Sequence, residues 1–456
     1  MIRMLCLGLS LCLVASRSLA ADSQPNFVFL IADDWSYPHA GVLGDSSVTT
    51  PTFDRLAREG VLFEHAFVSA PSCTSARSSI LSGQHHWRLE GAANLGGSLK
   101  ADVPLVSDLL REHGYLIGKF GKGVWPSKHL YRKQRPLPDG HERFSDFLER
   151  RKPGQPFFYW YGGADPHRPY DKDIGAKAGI DPSKIELPTV FPDHPSVRVD
   201  VANYYGEVQR FDRECGKILT QLASNKELEN TVVIMTSDNG MPFPRCKATL
   251  YDMGTRVPLA IKWPKKIAAG REVMDFVSLH DLAPTILELA GVAKPSTMNA
   301  NSLTDILLSP VSGQIDPSRD HVLTGMERHV ECNPQRAIRT SGYLLIKNYY
   351  QGEWPVAEAS DYNYNIDPSP TKSYMMSNRD APLVRRLYDL AFAARPAIEL
   401  YDLRLDPQQV NNVADHVEYA GIRSELEDRL VQGLERSQDP RRDRQGELFE
   451  KYRTSN

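Results

Sequence analysis

Asn26-Phe27-Val28-Phe29-Leu30-Ile31-Ala32-Asp33-Asp34 is an almost wholly apolar run that ends on two adjacent carboxylates. A short continuous run of this kind fits a strand buried on both faces of a sheet. The same texture returns in Pro156 to Tyr161 and in Thr231 to Ser237. The first of these leads into Gly162-Gly163 and Asp165-Pro166-His167, the second into Asp238-Asn239-Gly240. Amphipathic stretches lie between them. Thr50-Pro51 opens one through Phe53, Leu56 and Ala57, closed by Gly60, and Val103 to His113 is another, closed by Gly114. Val201, Tyr205, Val208, Phe211, Cys215, Ile218, Leu219 and Leu222 mark a long third. Val257 to Trp263 reads as a further strand and Leu279 to Ala290 as a helix ended by Gly291. This alternation predicts an α/β fold, a large mostly parallel sheet sandwiched by helices. Sites in such sheets form beyond the carboxyl ends of strands, and Asp33-Asp34, Asp165-Pro166-His167 and Asp238-Asn239 all fall there.

The chain has 456 residues, a formal net charge of −3, 41% apolar residues and 24% charged residues. Those values exclude disorder, a collagen-like repeat and a coiled-coil rod. The near-neutral balance argues against nucleic acid as a partner. Six cysteines are far too few for a disulfide scaffold.

Met1-Ile2-Arg3 precedes an apolar run from Met4 to Ser16, and Ser18-Leu19-Ala20 supplies small residues for cleavage. This reads as a secretory signal over residues 1–20, since the run is too short to cross a bilayer. Leu11, before Cys12, is not the small residue that lipoprotein processing prefers. Export predicts a secreted or periplasmic protein. No other stretch is long and apolar enough to span a membrane. The catalytic domain is assigned to 21–325.

Beyond that boundary the texture changes. Tyr343 to Asn348 and Ile398 to Leu403 read as strands, and Ile422, Leu426, Leu430 and Leu434 line a final helix. Residues 326–456 are expected to form a smaller α+β subdomain. Asp361 to Asp380, rich in Asn, Ser, Pro and Tyr, reads as a long loop, and the charged tail from Arg436 as frayed.

Asp33, Asp34, Asp238 and Asn239 offer hard oxygen ligands that suit Ca²⁺ or Mg²⁺ better than zinc. Each pair alone is equally a capping or turn signal; their shared placement favours a metal. Ser72-Cys73-Thr74-Ser75-Ala76-Arg77 is rich in small residues and precedes Ser78 to Leu81, an expected helix start. A cysteine at a helix N-terminus near an arginine should ionise easily and serve as a nucleophile. The plainer reading is an inert buried cysteine. A thiolate is a poor ligand for a hard cation, so an unmodified Cys73 would be odd here.

Cys73-Thr74-Ser75-Ala76-Arg77 resembles the signature of the type I, formylglycine-dependent sulfatases of the alkaline phosphatase superfamily. The resemblance extends over Pro25 to Trp35, Thr50 to Phe63, Leu81 to Gln84, Ser237 to Gly240, Leu250 to Pro258, Val277 to Gly291 and Leu400 to Asn412. It implies that a maturation enzyme oxidises Cys73 to formylglycine (3-oxoalanine). The hydrated aldehyde would be the nucleophile and an oxygen ligand of Ca²⁺, beside Asp33, Asp34, Asp238 and Asn239. The resemblance implies that Arg77 holds the formylglycine. Lys122 would touch the hydrate and the sulfate, and His167 would lie near the ester oxygen. Lys247 would contact the sulfate and protonate the leaving group. The implied reaction is attack of a diol oxygen on sulfur, a covalent sulfate hemiacetal, and its elimination after a base, plausibly a histidine, removes the other hydroxyl proton. A cation with Lys and Arg suits the spread charge of sulfate.

Two positions depart from the family pattern. Ser75 stands where the signature normally has proline, and Val124 where a histidine often follows the lysine matched to Lys122. His129 or another histidine is the candidate replacement, or this branch works without one, and Lys119 in Gly118-Lys119 rivals Lys122. Arg88-Leu89-Glu90-Gly91, Phe243-Pro244, Glu327-Arg328-His329 and Arg336 to Thr340 resemble the heparan N-sulfatase (sulfamidase)-like branch of glycan sulfatases. Arg88, Glu327, Arg328 and His329 are then substrate-pocket candidates, with a solvated charged turn as the alternative. The expected substrate is an O- or N-sulfated sugar at the end of a glycosaminoglycan-like or algal oligosaccharide or polysaccharide. The alternatives are a phosphate or phosphonate ester hydrolase of the same superfamily, and a non-catalytic glycan-binding homologue if Cys73 stays a thiol. Cys6 and Cys12 leave with the signal; Cys215 reads as core, and a Cys246–Cys332 disulfide is an open option.

Overall fold

The computed structural model describes residues 24–124, 137–138, 141–350, 365–443 and 446–452. The predicted signal and His129 lie outside them. Strand β1 (Asn26–Ala32) is buried along its whole length. It lies parallel to both β4 (Phe157–Gly162) and β5 (Thr231–Ser237), which is why its sequence shows no alternation. Around them stand β2 (Val61–Phe67), β3 (Leu116–Gly121), β6 (Leu259–Lys262) and β7 (Arg271–Ser278), in the order β3-β4-β1-β5-β6-β2-β7.

The two faces of β1 feed two separate cores. Phe27, Phe29 and Ile31 pack with Ala76, Ile80 and Leu81 of α2 (Cys73–Ser82) and with Leu282 and Ile286 of the helix Leu282–Leu289. Val28, Leu30 and Ala32 pack with Val201, Tyr205, Val208, Phe211 and Cys215 of the helix Pro195–Ser224. The predicted helix-sandwiched sheet is therefore present. One strand runs against the rest: β6 is antiparallel to both β5 and β2. A four-residue buried strand carries no mark of its direction in its sequence.

A second, four-stranded antiparallel sheet is ordered β11-β10-β9-β8, from β8 (His321–Arg328), β9 (Cys332–Thr340), β10 (Tyr343–Asn348) and β11 (Ile398–Asp402). It begins at His321, slightly before the boundary read from the sequence. The helix Ala420–Arg436 packs Leu426, Leu430 and Leu434 against it.

Two expectations for this half are corrected. The stretch read as loop over 361–380 contains the helix Pro370–Ser377, capped by Ser369, whose Oγ accepts from Lys372 N, and opened by Pro370. Its polar composition hid it, because only Thr371, Lys372 and Met375 are buried. Nor is the tail frayed over its described residues. Asp439 is buried in an ion pair with Arg336, and Phe449 is buried beside Asn94, whose Nδ2 donates to Phe449 O at 2.9 Å. Cys246 and Cys332 are both free thiols, so the optional disulfide is absent.

Candidate active site

Four neighbouring parallel strands, β3, β4, β1 and β5, deliver their carboxyl ends to one edge. After β1 come Asp33 and Asp34; after β5, Asp238 and Asn239; after β3, Lys122; after β4, the Asp165-Pro166-His167 turn. The turn after β1 is tight. Asp33 N donates to Asp165 O at 3.0 Å, and Trp35 N to Ser237 Oγ at 2.8 Å. Asp34 adopts φ 79°, a left-handed conformation that a non-glycine residue holds only where its surroundings impose it. α2 starts at Cys73 itself rather than at Ser78, which places the cysteine at the edge of the sheet.

One ligand atom each from Asp33, Asp34, Cys73 and Asp238 lies within 4.8 Å of the others, and all four residues are buried. Cys73 Sγ lies 3.5 Å from Asp33 Oδ1. Asn239 adjoins them: its Nδ2 donates to Asp34 Oδ1, while its own Oδ1 is buried with no hydrogen-bond partner among the described residues. A buried acceptor without a donor costs about 1–3 kcal/mol unless something occupies its lone pairs. Three carboxylates and an orphaned amide oxygen are hard donors, and this set fits a divalent cation of the Ca²⁺ or Mg²⁺ kind. Sγ stands where an oxygen of a hydrated formylglycine would complete an all-oxygen set.

Three cations brace the carboxylates. Arg77 Nε donates to Asp238 Oδ2 at 2.5 Å, and its Nη atoms donate to Lys122 O at 3.0 Å and Ala32 O at 3.3 Å. Lys122 Nζ donates to Asp33 Oδ2 at 2.5 Å, and Lys247 Nζ to Asp34 Oδ2 at 2.8 Å. His167 Nε2 stands 3.9 Å from Asp34 Oδ2, its ring held by Nδ1 against Arg168 O. Burial works to raise Asp33, but Lys122, His167 and Arg77 outweigh it and hold the carboxyl well below the usual range. Burial and the neighbouring Asp33 push Asp238 up to about 6 against the pull of Arg77.

The expectation of an easily ionised Cys73 is corrected. Burial pushes the thiol up, and Asp33 and Asp238 add to that, with Lys122 only partly opposing. The fork of Arg77 is spent on Asp238 and on backbone carbonyls rather than on sulfur.

Lys122 rather than Lys119 reaches the cluster, since Lys119 Nζ donates to Gly121 O at 2.9 Å. His141 Nδ1 accepts from Gly121 N at 3.2 Å, beside the strand end that carries Lys122, and Val124 is buried. His141 lines, with Lys122 and His167, a cleft of about 900 Å³ that borders Asp33. Of the expected pocket residues, His329 is brought in: its Nδ1 lies 2.9 Å from Ser72 Oγ, next to Cys73. Burial, and then Lys247, push its imidazole down to about 3, so it is neutral. Glu327 is corrected. It is fully buried and pairs with Arg336 and Arg441, both at 2.5 Å, inside the second domain. Arg328 is half-buried, with its carbonyl accepting from Leu95 N. Arg88 donates to Thr297 O on a half-exposed loop, and its described contacts do not join the metal cluster. Asp367 was missed. Its Oδ2 lies 3.4 Å from Lys247 Nζ, and nothing in a Pro-, Ser- and Asn-rich stretch marks it.

The sulfatase family profile matches residues 25–136 and 140–292, and the profile described as N-sulphoglucosamine sulphohydrolase, C-terminal, matches residues 246–395. The chain belongs to the sulfatase family and is an enzyme of sulfate ester hydrolysis. It is 29% identical over 469 residues to the N-sulphoglucosamine sulphohydrolase of Homo sapiens, covering 91% of each chain. It is 27% identical over 432 residues to an ulvan-active sulfatase of Formosa agariphila, covering 90% of this chain and 80% of the relative. A solved structure described as bound to its substrate D-glucosamine-2-N,6-O-disulfate superposes with a TM-score of 0.71 at 19% identity, covering 92% of this chain and 99% of the other. The phosphonate monoester hydrolase of Agrobacterium radiobacter shares the fold at a TM-score of 0.67 and 18% identity, covering 91% and 96%.

Proposed function

We propose that this chain is an exported sulfatase that removes sulfate from O- or N-sulfated sugars of glycosaminoglycan-like or algal glycans, with Cys73 matured to formylglycine. The observation that carries this is the placement of Cys73 Sγ within 4.8 Å of three carboxylates while Arg77, Lys122 and Lys247 converge on the same group. The relatives support a sugar substrate, since they are a sulphohydrolase of N-sulphoglucosamine and a sulfatase active on ulvan. The signal-like residues 1–20 support secretion or the periplasm, where a maturation enzyme would have acted on the chain beforehand.

Asp33, Asp34, Asp238 and Asn239 are the residues that would hold Ca²⁺, and the ion would supply charge stabilisation to a sulfate oxygen. A matured, hydrated Cys73 would supply a nucleophilic oxygen. The remaining residues act on the substrate directly. Arg77 keeps Asp238 and the start of α2 in register. Lys122, on Asp33, and Lys247, on Asp34, present ammonium groups to the sulfate oxygens. Lys247 donates a proton to the departing oxygen or nitrogen, and His167 lies on the same side to bond the bridging atom.

Mass spectrometry of the Cys73 peptide, from protein made in a maturation-competent host, should show an aldehyde in place of the thiol. Unmodified thiol alone in an active preparation overturns the reading. Cys73→Ala should abolish sulfate release while leaving the thermal transition in place. Sulfate release should exceed phosphate release on matched esters, and the reverse would make the chain a phosphate ester hydrolase instead.

A further inference from the structure

Lys247 has two carboxylate neighbours of different kinds. Asp34 belongs to the metal cluster, at 2.8 Å, whereas Asp367 stands outside it, at 3.4 Å, on a segment of the C-terminal half. The side chain of Asp367 is largely buried, at 16% exposure, and Lys247 is at 3%. Burial works to raise this carboxyl, but nearby cations, Lys247 foremost, hold it below the usual range.

The segment carrying Asp367 is built rigidly. Asn365 Oδ1 accepts from Val330 N and Glu331 N, both at 2.8 Å. Ile366 is packed with Met375, Val384 and Tyr388, and its carbonyl accepts from Lys372 Nζ at 2.9 Å. Four residues after Asp367, Thr371 Oγ1 donates to Asp200, which also holds Arg168 at 2.8 Å. The loop is thus tied to the second sheet on one side and to the long helix Pro195–Ser224 on the other. A carboxylate placed this way beside an anion-binding site repels the substrate unless its field is directed at a cation.

We propose that Asp367 is a positioning residue for Lys247, holding the ammonium aimed at the leaving atom once Asp34 is engaged by the divalent cation. Asp34 is then shared between lysine and metal, whereas Asp367 stands outside the metal cluster and stays within reach of Lys247. This rests on the reading of Lys247 as the proton donor to the leaving group. The C-terminal half then does more than cover the catalytic sheet, because it supplies part of the acid machinery.

The test uses matured enzyme and a series of sulfate esters from an acidic phenol to a simple alcohol. A donor matters little for a phenol that leaves unaided and greatly for an alcohol. Asp367→Asn should lower kcat about 10–100-fold on the alkyl ester, less than loss of the acid itself, which is worth about 10²–10⁴-fold, and less than about threefold on the acidic phenyl ester. KM should change little on either. Asp367→Glu should recover part of the loss, and the thermal shift produced by Ca²⁺ should match the parent in both variants. Equal losses on both esters, or a lost Ca²⁺ shift, overturn the positioning role. Lys247→Ala separates the two claims. If its loss depends on the leaving group while that of Asp367→Asn does not, only this inference fails. If the Lys247→Ala loss is uniform, the acid assignment fails and this inference with it.

Discussion

Arg77 and Asp238 meet at 2.5 Å through Nε and Oδ2, both fully buried, and so join the first turn of α2 to the end of β5. Arg77 also reaches backbone carbonyls at Lys122 and Ala32, so one side chain ties three strand ends and the cysteine helix together. A planar fork with several donors is required for that, and a lysine has a single ammonium point charge.

Arg77→Lys should therefore lower kcat/KM by about 10²–10³-fold, the scale on which single preorganised donors act. Steady-state kinetics with an aryl sulfate checks it. Retention of more than half the activity would show that charge alone suffices.

The orphaned Oδ1 of Asn239 and the three carboxylates predict stabilisation by Ca²⁺. Adding Ca²⁺ at a hundred times its Kd to chelated protein should raise stability by about 2.7 kcal/mol, read as a rise in Tm. Mg²⁺ at the same concentration should raise Tm less. Asn239→Ala should weaken the Ca²⁺ effect, and an unchanged titration would remove Asn239 from the ligand set.

The buried network of Arg336 with Glu327 and Asp439 is structural, stacked beneath Trp87. Asp439→Asn leaves the Arg336 charge partly uncompensated, and losing one partner of a buried pair costs about 3–5 kcal/mol. Denaturant unfolding should show that loss, while kcat of the folded fraction stays at the parental value. A large fall in kcat with unchanged stability would instead place this network in the substrate pocket.

His280 is buried, bonded at Nδ1 to Ser278 Oγ at 2.7 Å and lying against the His85 ring. Burial, and then Arg319, push it down to about 3. The unfolded chain protonates this histidine near 6.5, whereas the folded chain keeps it neutral. The unfolded state thus binds more protons below 6.5, and stability falls as pH drops from 6.5 toward 3. The contribution over that window is on the order of 5 kcal/mol. His280→Gln should flatten the acid limb of a stability–pH curve, and an unchanged slope would assign the acid sensitivity to other groups.

Much of the site was legible along the chain because each part sits at the end of a strand with its own signal. The apolar run before Asp33-Asp34 and the run before Asp238-Asn239 are buried on both faces, so hydrophobicity alone located them. Lys122, His167 and Lys247 were placed by resemblance, and the structure brings all three to the same carboxylates or within 4 Å of them. Glu327 misled because its Glu-Arg-His triplet looks exposed in sequence, while pairing with Arg336 and Arg441, from the next strand and the C-terminal tail, buries it.

Sequence by itself determined the sandwiched α/β sheet and the strand ends that carry Asp33-Asp34 and Asp238-Asn239, since these follow from local composition and spacing, while the resemblance of Cys73 to Arg77 to a family signature pointed to the candidate nucleophile. Tertiary structure alone decided the reversed direction of β6, the burial of Cys73 among three carboxylates and the arrival of Asp367 beside Lys247. Those depend on burial and on contacts between residues as far apart as 120 positions, as Lys247 and Asp367 are, and no local pattern encodes a partner at that separation.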